Sequence, residues 1–203
     1  MKFNTKILII TFTYLTIIGC QNNVKKEKIV SEKRFGFWKS KDSVSTELEI
    51  KKFKNWHELI ERIDQIVCND SLPKLTLQNE NSIKIIYFQN PCWNKFACIL
   101  IKRKNVIEIH NDSIIKSHTI YPLDSLYNVL KRDIKNNGKN PNLCQNPKKL
   151  IISISYSDKF ENLPKVLDKL TDAYNKITNK TNIKIWLETK VDIIPPPADL
   201  YQN

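Results

Sequence analysis

Residues 150–189 constrain the fold more than any other stretch. Leu150, Ile152, Ile154 and Tyr156 are apolar at alternate positions, and Ile151 makes the run nearly continuous. That is the pattern of a strand at the centre of a sheet. Leu163, Val166, Leu167, Leu170, Ala173, Tyr174 and Ile177 then recur at spacings of three and four. They define one face of a helix whose first turn accommodates Pro164 and which Asn162 or Asp158 can cap. Ile183, Ile185 and Leu187 alternate with Lys184, Trp186 and Glu188, which predicts a second strand with Trp186 on its outer side. A strand, a helix and a strand of these lengths form a right-handed unit with its two strands parallel.

The preceding residues supply the rest of an α+β domain with a mixed sheet. Alternation over 44–53 predicts a half-buried strand. The apolar spacing of Trp56, Leu59, Ile60, Ile63, Ile66 and Val67 predicts an N-terminal helix capped by Asn55. Strands are predicted at 82–88, 96–103, 105–110 and 114–121, with Asn111-Asp112-Ser113 as a turn, and together they make a β-meander. After Pro122, Asp124 can cap a helix with Leu126, Val129, Leu130 and Ile134 inward, ending near Gly138. The loop 139–149 carries Pro141, Cys144 and Pro147 and is expected to need a disulfide.

At the N-terminus, Lys2 and Lys6 are followed by an apolar run over 7–18, interrupted by Thr11, Thr13 and Thr16. A bilayer span needs roughly 20 apolar residues, whereas a signal core needs about 7–15. The run ends in Ile17-Ile18-Gly19-Cys20, a small residue directly before a cysteine, and so resembles a bacterial lipoprotein signal. The resemblance implies that 1–19 is removed and that Cys20 is acylated as the mature N-terminus. Residues 20–41, rich in lysine, then read as a tether, 42–192 as a single domain and 193–203, with Pro195-Pro196-Pro197, as a stiff tail. The lack of Asp at position 21 resembles the outer-membrane class of such proteins, which places the domain on the periplasmic face of that membrane.

The 33 basic residues of the chain, less Lys2 and Lys6, against 21 acidic ones leave a mature charge of +10. No single basic block stands out, and an exported chain has no nucleic acid to bind, so the surplus reads as a solvated surface. Four cysteines remain beside Cys20: Cys68, Cys92, Cys98 and Cys144. An even number in an exported chain predicts two disulfides. Cys92 and Cys98 flank a plausible loop, which would pair them and leave Cys68 with Cys144. No metal or cofactor is expected, since no Cys-x-x-Cys occurs and His57, His110 and His118 share no ligand spacing with the cysteines.

A second resemblance runs through Asp112-Ser113-Ile114-Ile115, the helix 124–137, the segment 150–159 with its Ile-Ser-x-x-Asp-Lys-like ending, Val166-Leu167-Asp168-Lys169-Leu170 and Ile185-Trp186-Leu187-Glu188-Thr189. These residues look like the periplasmic domain of the ExbD/TolR biopolymer-transport proteins. The likeness implies an envelope module that grips a partner. The family's membrane-helix aspartate has no counterpart, because no acidic residue lies between Met1 and Cys20.

Catalytic sets are thin. Three glycines, Gly19, Gly36 and Gly138, exclude a phosphate-cradling loop and a Gly-x-Ser-x-Gly elbow. Cys92 or Cys98 with His110 or His118 would make a nucleophile and base, and Asp64, Asp70, Glu108 and Asp112 could pair as carboxylates, but spacing selects none of them. His57 and Glu61 stand four apart on a helix, as a surface pair does. Trp38, Trp56, Trp93 and Trp186 could offer a sugar platform, with Trp56 assigned to the core. The reading that follows is a non-enzymatic envelope protein that binds a protein or peptidoglycan, with an inhibitor or immunity lipoprotein and a cell-wall hydrolase as alternatives.

Overall fold

The computed structural model describes residues 31–36, 44–79, 82–95 and 101–189. The signal, Cys20, Cys98, Trp38, the predicted strand 96–103 for the most part and the tail 193–203 lie outside these residues. The chain forms an α+β fold with two mixed sheets. The four-stranded sheet has the order β1 (Ser31–Phe35), β4 (Ser82–Tyr87), β3 (Leu72–Asn79), β2 (Ser45–Glu47). The five-stranded sheet has the order β7 (Thr119–Pro122), β6 (Ser113–Lys116), β5 (Val106–His110), β8 (Ile151–Ser155), β9 (Ile185–Leu187). Three helices, α1 (Trp56–Cys68), α2 (Leu126–Lys135) and α3 (Leu163–Thr178), contribute to the same core as both sheets.

Strand β8, helix α3 and strand β9 form the parallel unit, with Ile152 opposite Ile185 and Ile154 opposite Leu187. Strand β5 also runs parallel to β8, pairing Ile107 with Ile152 and Ile109 with Ile154. All six of these side chains are fully buried. Each contributes about 1.5–3 kcal/mol of transfer free energy relative to an exposed position. The meander is confined to β5, β6 and β7, and two tight turns shape it. Asn111 and Asp112 have φ of 45° and 63°, and Ser117 and His118 have φ of 50° and 66°. Two consecutive left-handed residues match the twist of a two-residue hairpin. The second turn divides the predicted strand 114–121 into β6 and β7.

The four-stranded sheet departs furthest from expectation. Ser31–Phe35, assigned to the tether by its polarity, is an edge strand parallel to β4 that buries only Phe35 completely. Gly36 follows it with φ of 74°, and an added Cβ there would lie 2.5 Å from the Tyr87 carbonyl oxygen. Glycine is needed on both counts. Strand β3, where the sequence predicts no element, pairs antiparallel with β4. The predicted strand 44–53 shortens to β2 and gives way to a 3-10 turn, Ile50–Lys52.

Helix α1 begins at Asn55, whose Oδ1 accepts the Glu58 N–H at 2.9 Å, while Glu58 reaches back to the Lys54 N–H. Helix α2 starts later than its sequence predicts, after a 3-10 turn Leu123–Ser125, and Asp124 pairs with Lys169 of α3 instead of capping it. The two sheets meet where the chain leaves β4. Gln89 N–H donates to the Ile185 carbonyl, and the Asn90 side-chain amide both donates to the Leu187 carbonyl and accepts the Leu187 N–H. One side chain thus occupies the outer edge of β9 in place of a strand.

Candidate functional site

The cysteines pair differently from the expected scheme. Cys68, the last residue of α1, is bonded to Cys92 in the loop after β4, and Cys144 is free. Cys92 points into the core, and the residues after it make a surface turn in which the Lys95 N–H donates to the Cys92 carbonyl. Lys95 then reaches towards Asp70, just beyond α1, at 3.5 Å. The loop is thereby folded onto the end of α1, where Cys68 waits.

Cys144 is fully buried, its Sγ donates to the Asn146 carbonyl at 3.1 Å, and burial pushes its thiol pKa up. Its loop is held without a bridge. Lys116 of β6 and Asp133 of α2 form a completely buried ion pair at 2.7 Å. Lys116 Nζ also donates to the carbonyls of Lys104 and Val106, and Asp133 Oδ1 accepts the Cys144 N–H at 2.9 Å. Asn136 adds donors to the Asn140 and Cys144 carbonyls and accepts the Asn140 N–H. A buried charge is tolerable only when paired in this way.

The candidate functional surface is the outward side of the five-stranded sheet. Ile107, Ile109, Ile114, Ile152 and Ile154 are fully buried, whereas the alternate positions Val106, Glu108, His110 and Ile115 are half-exposed and Ile120 is 70% exposed. Register aligns a row on that side: Glu108 of β5, Ser153 of β8 and Trp186 of β9. The Ser153 hydroxyl donates to Glu188. Burial first, and then the negative charge of Glu108, push the Glu188 carboxyl pKa up, while the Ser153 hydrogen bond partly opposes this. In the next row, His110 Nδ1 lies 2.9 Å from Ser155 Oγ, and His110 Nε2 lies 3.1 Å from the Asn111 amide. At the β9 margin Trp186, expected outward, is on that side but only 8% exposed, because Trp93 packs edge-on against it at 6.0 Å. Trp93 itself is 37% exposed. That side therefore carries an accessible indole at its β9 margin and, across the buried Ser153, two carboxylates within electrostatic reach of each other.

The other sequence candidates are dispersed. His57 and Glu61 pair at 3.1 Å on the exposed side of α1. Asp64 lies on the same helix, with its carboxyl pushed up by burial. Asp112 accepts from the Tyr156 hydroxyl at 2.7 Å and from Asn162 at 2.6 Å, so it ties a turn to the start of α3. His118 occupies the β6–β7 turn, and Trp56 is a core residue stacked edge-on against Tyr156 and Phe160. Of the four carboxylates weighed as a pair, only Glu108 gains a carboxylate neighbour on this surface, and that neighbour is Glu188. Sequence spacing did not offer Glu188, since the two meet only through the β5–β8–β9 register. No protein-family model, no curated protein and no solved structure matches this chain.

Proposed function

We propose that this chain is a cell-envelope protein, acylated at Cys20 and held at the periplasmic face of the outer membrane, whose domain binds a protein or peptidoglycan partner and performs no reaction. The observation that carries this reading is the Cys68–Cys92 disulfide. It fits an oxidising compartment and agrees with the export signal that ends at Cys20. The likeness of residues 112–189 to the ExbD/TolR periplasmic domain supports a module that grips an envelope partner. Trp93, beside Trp186 and the Glu108–Ser153 row, is the part of the surface suited to that contact, since an exposed indole offers a large apolar area to a sugar ring or a side chain.

Metabolic labelling with a radioactive fatty acid tests the anchor. Label is expected in the wild type and absent in Cys20→Ala, and equal label in both would remove the proposal. A pull-down with purified peptidoglycan, run beside one from envelope extract, separates glycan from protein partners, and Trp93→Ala is expected to weaken whichever is retained. The Glu108–Glu188 neighbourhood favours a second reading, a cell-wall hydrolase, in which the carboxyl with the raised pKa acts as the acid. Loss of peptidoglycan-clearing activity in Glu188→Gln would establish it, and no clearing by the wild type would dismiss it.

A further inference from the structure

The beginnings of β8 and β9, at the other end of those strands from the His110–Ser155 row, border a cavity of about 500 Å³ between the last turns of α2 and α3. Its floor is aliphatic: Ile134, Leu150, Ile177 and Ile183. Its rim carries Lys148, Lys180 and Lys184, and among the described residues no carboxylate side chain lines it. Among the described residues none of these three lysines is in an ion pair. The carbonyls that end α3 do not oppose an anion fully, because Tyr174 O accepts from the Thr178 hydroxyl and Asn175 O accepts the Asn179 N–H.

We infer that this cavity binds a free fatty acid, with the hydrocarbon chain on the aliphatic floor and the carboxylate among Lys148, Lys180 and Lys184. Three features select that ligand. The volume lies within the roughly 300–1,000 Å³ of small-molecule sites and is small for a docked protein element. The aliphatic floor suits an alkyl chain, whose methylenes gain by leaving water, and gives a nucleotide base little to stack on. The unpaired positive rim complements one anionic head at the mouth. Lysine stems also cover apolar surface while their ammonium groups stay in water, so the same three residues serve chain and head.

The test is calorimetric titration of the full chain carrying Cys20→Ala with laurate below its micellar concentration. That substitution is harmless if the anchor reading is wrong, so the two proposals fail separately. Saturable binding of one laurate per chain is expected. The triple variant Lys148→Gln/Lys180→Gln/Lys184→Gln should bind about 30-fold more weakly, as three partly exposed charge contacts imply. Its melting temperature should be unchanged, because Lys148 and Lys180 are exposed and Lys184 half-exposed. The wild type should also lose affinity as salt is raised, which tests the charge term without any substitution. Absence of saturable binding, equal affinity in the triple variant, or acetate binding as tightly as laurate would each overturn the inference.

Discussion

Two loops leave the core and return to it, and they are fastened by opposite means. The loop after β4 is stitched to the end of α1 by Cys68–Cys92, a covalent tie between half-buried and buried sulfurs. The loop after α2 carries a buried cysteine that pairs with nothing covalently, and Asp133, Lys116 and Asn136 hold its backbone. The first fastening acts largely by restricting the unfolded chain, and its strength depends on the redox state of the surroundings. The second acts only in the folded state and depends on every member of a dry network being present. A cysteine in a loop is thus no guide to how that loop is held.

The largest effect should come from breaking the dry network. Asp133→Ala strands Lys116 as an unpaired buried charge, and urea unfolding should show a loss of about 4 kcal/mol. The double replacement Lys116→Met/Asp133→Leu should recover only part of it, since it removes the stranded charge but leaves the Cys144 N–H and the Lys104 and Val106 carbonyls without their partners. A single-variant loss below about 1 kcal/mol would mean that water already reaches the pair. Cys68→Ala/Cys92→Ala should cost about 3.5 kcal/mol by the chain-entropy estimate for their separation of 24 residues. Reductant should reproduce that loss in the wild type and add nothing in the variant.

Smaller changes sharpen the contrast. Asn136→Ala removes three hydrogen bonds to Asn140 and Cys144 without stranding a charge, so about 3 kcal/mol is expected in the same assay, near 1 kcal/mol per net hydrogen bond. The least of the effects is one of accessibility. Iodoacetamide should modify Cys144 slowly in the native wild type and stay slow as the pH approaches 9.0, because the buried thiol titrates above its ordinary value. Labelling should quicken in Asn136→Ala and remain slow in the Cys68/Cys92 variant under native conditions. Equal quickening in both would show the loops opening together.

The five-stranded sheet was legible because burial on one side writes a period of two into β5 and β6, while β8 and β9, buried on both sides, keep aliphatic residues at every second position, and helix packing writes a period near 3.6 into α1, α2 and α3. Of the four-stranded sheet, β4 was legible at 82–88 and β2 lay within the predicted strand 44–53, whereas β1 and β3 were not legible. In β1 the residues Ser31-Glu32-Lys33-Arg34 are exposed at the sheet's edge, so the strand has polar composition and only Phe35 to betray it. In β3, Pro73 argues against a strand. It is accommodated opposite the short β2, while Leu75 turns inward and Leu77 is half-buried. The disulfide was illegible for a different reason. Four cysteines are compatible with several pairings, and what selects Cys68 with Cys92 is the fold of the loop onto α1. Glu188 illustrates the same limit at the candidate surface, since its neighbour Glu108 lies two strands away.

Asn90 has a further consequence. Its amide uses both polar groups of Leu187, so one margin of the five-stranded sheet cannot accept another strand there. The other margin, β7, presents Ile120 and ends the described sheet. An endless cross-β ladder needs two growing ends. Through this sheet, pairing between copies is left only the β7 margin, so an asparagine side chain confines ladder growth to one side of it.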